Sequence, residues 1–212
     1  METKLLVAIP TTDYMHFEFV RSLTALVEWL KDSGIPYEVR FKGLSLVYAA
    51  RDSLACYAIN EGFTDVLWLD SDMVFEPNIL EDLQFCGKPF VTGVAHSRRP
   101  PYVSCTFTDI AMNSITRVGD YPPEPFKIAG CGFACVLIKT EILKHVMETY
   151  KTCFLPMPVY GEDVAFCKRA TDLGYEIWCE PTVRLGHIGH VTIYPEMREQ
   201  YQQQLGIGWR ID

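Results

Sequence analysis

The segment Val66-Leu67-Trp68-Leu69-Asp70-Ser71-Asp72-Met73 constrains this chain more than any other. Four apolar residues run without alternation into two carboxylates separated by one small residue. An unbroken apolar run bounded by polar residues predicts a strand buried on both faces of a mostly parallel sheet. Asp70 and Asp72 then stand where the chain leaves the sheet, and in open α/β sheets ligands bind at that end. Two carboxylates held there suit a hard divalent cation and the phosphates it carries. A strand-end turn, or a cap on the next helix, would use the same residues without a ligand. On this segment alone both readings stay open.

The flanking residues supply the frame. Leu5–Ile9 is a short apolar run ended by Pro10-Thr11-Thr12-Asp13, and predicts the first buried strand. Thr12 or Asp13 is placed to cap a helix carrying Phe17, Val20, Leu23, Leu26, Val27 and Leu30 at helical spacing, with Gly34 at its end. A strand from Pro36 to Phe41 and a helix from about Leu46 to Asn60 follow. With Val66–Leu69 the order becomes β-α-β-α-β, the signature of a parallel sheet with right-handed crossovers.

Beyond the acidic pair the pattern predicts a short helix at Pro77–Leu83 and a strand at Phe90–Val94. A loop, His96–Pro101, carries Arg98 and Arg99, and a loose hairpin spans Val103 to Val118. The run Ile128–Ile138 is interrupted by Gly130 and Gly132, which predicts a bulge or close backbone approach to a ligand, and it leads into a helix at Thr140–Glu148. Glu162 and Asp163 head another helix, closed by Gly174, where the dipole favours ionised carboxylates. An ordinary acidic first turn would look the same. A late strand, Tyr175–Cys179, precedes Arg184-Leu185-Gly186-His187, with His190 three residues further on.

Composition excludes several function classes. The 212 residues are 49% hydrophobic and 22% charged, as in a globular chain of one domain. Net charge is -8 and there is no basic tract, which argues against a nucleic-acid partner. No apolar run approaches the ~20 residues that span a bilayer. Met1-Glu2-Thr3-Lys4 leads straight into the first strand, so no signal peptide is expected. Eight cysteines are scattered without a Cys-x-x-Cys pair, so reduced, mostly buried thiols and a cytoplasmic location are expected.

Taken together, these parts resemble the GT-A family of nucleotide-sugar-dependent glycosyltransferases over almost the whole chain. The likeness rests on Pro10-Thr11 after the first strand, Arg51 on the second helix, and Asp70-Ser71-Asp72 ending a hydrophobic strand. It continues through Gly130-Cys131-Gly132-Phe133, the Glu162-Asp163 pair and Arg184-Leu185-Gly186-His187, in the family's order. An isolated Asp-x-Asp is weak, but the ordered set is strong. Within the family, the compact length and C-terminal pattern look most like the small glycosyltransferase domain encoded by large chlorella viruses.

The resemblance implies a mixed, mostly parallel α/β sheet flanked by helices, in a single Rossmann-like GT-A domain over residues 1–212. Its nucleotide-binding half would cover about 1–95 and its acceptor half about 96–212. It further implies Mn²⁺ or Mg²⁺ on Asp72 and His187, with Asp70 on the metal, its waters or the ribose. The cation would bridge the diphosphate of a UDP-sugar. Pro10, Thr11 and Arg51 would hold the nucleoside, Ser71 would belong to the same donor site, and Gly130, Cys131 and Gly132 would line the sugar and acceptor side. Arg51 could instead only pair within the fold. Asp163 would be the general base and Glu162 would orient donor or acceptor, giving transfer of a hexose or 6-deoxyhexose to a glycan or glycoprotein hydroxyl, with inversion. Such a domain could be part of a longer polypeptide. Two rival classes remain. A haloacid dehalogenase-type phosphohydrolase also ends a strand in Asp-x-Asp, but normally the first strand. A non-catalytic nucleotide-sugar or glycan binder on the same fold is the other.

Overall fold

A computed structural model describes residues 3–43, 45–111, 114–117 and 119–189. His190 and the Gly206-Ile207-Gly208-Trp209 stretch lie outside these residues. The first half follows the predicted alternation: β1 (Leu5–Pro10), α1 (Phe17–Ser33), β2 (Tyr37–Lys42), α2 (Val47–Asn60), β3 (Asp65–Leu69). A two-residue β4 (Met73–Val74) comes next, then α3 (Ile79–Phe85) and β5 (Phe90–Val94). The hairpin is β6 (Thr106–Ala111) with β7 (Ser114–Arg117). The glycine-interrupted run is divided into β8 (Phe126–Ile128), β9 (Gly130–Cys131) and β10 (Cys135–Lys139). Last come α4 (Thr140–Tyr150), α5 (Glu162–Asp172), β11 (Ile177–Arg184) and β12 (Gly186–His187).

Seven strands form the central sheet in the order β2-β1-β3-β10-β5-β11-β8. Five point one way, and β10 and β8 run against them. The fold is therefore a mixed, mostly parallel α/β sheet flanked by helices, in a single domain. Every residue of β1, β3 and β5 is buried, because both faces of the sheet are covered. The pleat sends alternate side chains to opposite cores. Leu6, Ala8, Val66 and Trp68 pack with Leu54, Ile142 and Phe166 of α2, α4 and α5. Leu5, Val7, Ile9, Leu67 and Leu69 pack with Leu26, Leu30 and Leu80 of α1 and α3.

Two local expectations need correction. Helix α1 begins at Phe17 after His16, too late for Thr12 or Asp13 to cap it, and the Thr12 hydroxyl donates to Tyr14 O at 3.2 Å instead. Its buried face is Phe19, Ser22, Leu23, Leu26 and Leu30, which leaves Phe17 and Val20 exposed. The late strand also continues to Arg184, further than its apolar start suggests.

Candidate active site

The acidic pair lies at the carboxyl end of β3. Asp70 N donates to Ala134 O at 3.1 Å, extending the β3–β10 pairing by one bond. Met73 N then closes a turn onto Asp70 O at 3.2 Å, and β4 runs antiparallel to β12 with Met73 opposite His187. A further backbone bond, Ile188 N to Asp72 O at 2.8 Å, fixes this ribbon. Residues 115 positions apart in sequence are thereby brought together, and His187 Nε2 lies 3.3 Å from Asp72 Oδ2.

The other ring nitrogen settles the chemistry of that pair. His187 Nδ1 is 2.7 Å from His96 O, and a carbonyl can only accept, so Nδ1 carries a hydrogen. In the neutral ring, Nε2 then has only a lone pair to offer a carboxylate oxygen. Two acceptors then face each other, and either a second proton on Nε2, which makes the ring an imidazolium donating to Asp72, or a cation reconciles them. Arg98 Nη1 supplies one at 2.5 Å from Asp72 Oδ2. Burial alone would raise the Asp72 carboxyl, but His187 and the Arg98 guanidinium bring it below the ordinary carboxylate range. His187 is raised, chiefly by its hydrogen bond to Asp72, against the effect of burial.

These residues fit a divalent cation in part. Ligands at right angles on a small hard ion stand about 3 Å apart, close to the Asp72–His187 separation. A ring held by Nδ1–H on a backbone carbonyl is also the usual support of a metal-binding histidine. Asp70, expected on the metal, its waters or the ribose, is engaged through one of its oxygens. Asp70 Oδ1 accepts from Arg51 Nη2 at 2.6 Å, and no group of three or more His, Cys, Asp or Glu among the described residues surrounds a metal position.

Arg51 links the two halves of the site. It is 2% exposed, and its Nη1 donates to Glu162 Oε1 at 2.6 Å while Nη2 holds Asp70. Its guanidinium lies 5.4 Å from the centre of the Phe133 ring, above an apolar cluster of Trp68, Phe154 and Phe166. Arg51 Nε finds no partner among the described residues. Burial would lower its pKa, but Asp70, Glu162 and Asp163 hold it raised, so it stays a cation. Burial raises Asp70 despite Arg51. Arg51 thus pairs within the fold, giving one nitrogen to each carboxylate, while its side chain also lines the cavity at this end of the sheet.

Glu162 and Asp163 head α5 as the sequence predicts, but the dipole does not decide the state of Asp163. Burial, then the charge of Glu162, push its carboxyl up to about 6, although Arg51 and a 2.7 Å bond from Val164 N oppose them. A carboxyl poised near neutrality suits proton transfer. Of the glycine segment, Gly132 approaches this group: a Cβ there would sit 3.5 Å from Asp163 Oδ2. Gly130 and Cys131 do not reach the cavity. A Cβ on Gly130 would sit 3.2 Å from Cys167 Cβ, and Cys131 is buried with its N 3.5 Å from Cys167 Sγ. They pack β9 onto α5, so their glycine and small-residue choice is about close packing.

A cavity of about 410 Å³ opens over this end of the sheet. Pro10, Thr11, Asp70, Ser71 and Asp72 line it, together with Arg51, Arg98 and Glu162. Asp163 stands one residue further along α5 and is not part of the lining. Sequence reasoning missed Ser45, Leu46, Val47 and Ala50, which form one wall from the start of α2. Leu46 and Val47 are exposed apolar residues at a helix start, a signal that could have marked them.

No protein-family model matches the chain, and no curated protein matches it in sequence. Solved structures do. One, described as the crystal structure of A197 from STIV, superposes with a TM-score of 0.57 at 18% identity, over 90% of this chain and 87% of that one. Another is a crystal structure of GalNAc-T7 with UDP, GalNAc and Mn²⁺, at TM-score 0.59 and 11% identity. It matches 90% of this chain, which spans 44% of that longer one. At these identities the likeness establishes the fold, a GT-A-like α/β domain, and nothing finer. No helix among the described residues is long and apolar enough to cross a membrane.

Proposed function

We propose that this protein is a metal-dependent glycosyltransferase that moves a hexose or 6-deoxyhexose from a UDP-sugar to a hydroxyl of a glycan or glycoprotein, with inversion. The observation that carries the reading is the Asp72–His187 pair, whose Asp72 lines a cavity together with Glu162, with Asp163 the next residue along α5. A solved neighbour in fold carries UDP, GalNAc and Mn²⁺, which supports the same ligand classes here.

Asp72 and His187 would hold Mn²⁺ or Mg²⁺, leaving its other positions to phosphate and water oxygens; Asp70, tied to Arg51 through Oδ1, would act on the metal, its waters or the ribose. When bound, such a cation neutralises the charge that develops on the leaving diphosphate. Pro10, Thr11 and the apolar wall at Leu46 and Val47 would take the nucleoside. Arg51 fixes the directions of Asp70 and Glu162, so that donor and acceptor groups meet preset partners. Asp163 would accept the proton of the attacking hydroxyl as the new bond forms at the anomeric carbon. A phosphohydrolase would require Asp70 free as a nucleophile, and its ion pair with Arg51 disfavours that.

A screen of nucleotide sugars for Mn²⁺-dependent binding and hydrolysis, by calorimetry and NMR, tests the reading. Asp72→Ala should abolish metal-dependent donor binding; an unchanged affinity with Mn²⁺ present removes Asp72 from the site. NMR of the product should show an inverted anomeric configuration, and retention excludes the in-line base.

A further inference from the structure

Arg98 belongs to none of the roles above, yet its guanidinium occupies the most important oxygen of the site. Arg98 Nη1 is 2.5 Å from Asp72 Oδ2, the same oxygen that faces His187 Nε2 at 3.3 Å. A metal ion seated between His187 Nε2 and the Asp72 oxygen that faces it would compete with the guanidinium for that oxygen.

The backbone around Arg98 is pinned, while its side chain is not. His96 O accepts from His187 Nδ1 at 2.7 Å, and Ser97 N donates to Val103 O at 2.8 Å. Arg98 O lies only 2.7 Å from where a Cβ on Gly189 would stand, so the two segments are in direct backbone contact. The Arg98 side chain is 50% exposed, and a half-exposed ion pair is cheap to break. A fixed backbone and a loosely held long side chain make a tether.

Charge in the cavity lining gives the tether a second anchor. Arg51 is committed to Asp70 and Glu162, and Arg98 is the other arginine of the lining. A guanidinium matches phosphate oxygens bidentately and keeps its charge at any relevant pH.

We propose that Arg98 is a tethered stand-in cation: it neutralises Asp72 in the metal-free protein and moves to the diphosphate when a divalent cation takes Asp72. This rests on the glycosyltransferase reading and deepens it. The cation alone has to evict Arg98 and gives it no new partner. The cation with a nucleoside diphosphate evicts Arg98 onto phosphate oxygens. Metal and diphosphate therefore bind as a pair, with positive coupling between them.

Mn²⁺ titrations followed by electron paramagnetic resonance, with and without UDP, test this on wild type, Arg98→Ala and Asp72→Ala. Arg98→Ala should bind Mn²⁺ alone about tenfold more tightly than wild type, and UDP at saturating Mn²⁺ about tenfold more weakly. Circular dichroism melts confirm that the variants fold. If Arg98→Ala matches wild type in either titration, or binds Mn²⁺ alone more weakly, the stand-in role is overturned. With Asp72→Ala still defective, that result leaves the glycosyltransferase reading standing. If wild type binds no Mn²⁺ even with UDP, both fall together.

Discussion

At Asp163, helix dipole and burial pull in opposite directions, and burial wins. The first-turn position would favour the carboxylate, but desolvation and the neighbouring Glu162 bring its pKa to about 6. The raised value has a direct consequence for stability. The folded chain holds this proton more tightly than the unfolded chain, so the wild type loses stability as pH rises from the ordinary carboxylate range through about 6. Asn does not titrate and can still accept the Val164 N–H. Asp163→Asn should therefore stabilise the protein by ~1–3 kcal/mol at about pH 8 and by almost nothing at about pH 4. Urea unfolding at the two pH values checks it; an equal change at both removes the buried charge as the cause. The same variant should bind donor and lose transfer, which is the stability–activity conflict expected where a site keeps an unfavourable charge.

At the scale of elements, close packing around the site explains several small residues. Gly93 on β5 faces Val183 on β11: a Cβ there would meet Val183 Cγ1 at 2.6 Å and Val183 O at 2.9 Å. The second contact is backbone and cannot swing away. Gly93→Ala should cost ~1–3 kcal/mol by prying the parallel pair apart, measured by denaturant unfolding. A loss below that range would mean β11 shifts freely.

Elements also mark what the sequence could and could not convey. Periodicity and punctuation are local, so β1 through β3, the helix heads at Val47 and Glu162 and the hairpin were all legible. The β4–β12 ribbon was not, since two residues per strand carry no period and the pairing spans more than a hundred positions. The run from Ile128 to Ile138 displayed its glycine interruptions, but not which strands its pieces would join. Its glycines let β9 press on Cys167 and turn away, and β10 then returns antiparallel between β3 and β5. Site residue types were legible by the same logic, whereas their partners were not. Arg51 was visible as a candidate, but its double ion pair depends on Glu162, 111 positions away.

At the scale of the whole molecule, that double ion pair joins the two halves of the chain. Asp70 comes from the end of β3 and Glu162 from the start of α5, and Arg51 lies between them with 3% of its side chain exposed. The neighbouring Asp52 reinforces the link, accepting from Cys153 N and Phe154 N at 2.8 Å each and so fixing the segment that leads towards α5. Arg51→Met keeps much of the side-chain volume above Phe133 but leaves two carboxylates without their cation. Breaking a buried pair from one side typically costs ~3–5 kcal/mol, so the urea midpoint should fall sharply near neutral pH. The sign with pH follows from the partners. The loss is the energy of unpaired carboxylates, so it should shrink as pH falls and Asp70, already raised by burial, takes a proton. Arg51→Met combined with Glu162→Gln should recover part of the loss, because one of the stranded charges is gone. If Arg51→Met stays within ~0.5 kcal/mol of wild type, strand pairing and apolar contacts hold the halves without it. The guanidinium would then serve only to aim Asp70 and Glu162 into the cavity.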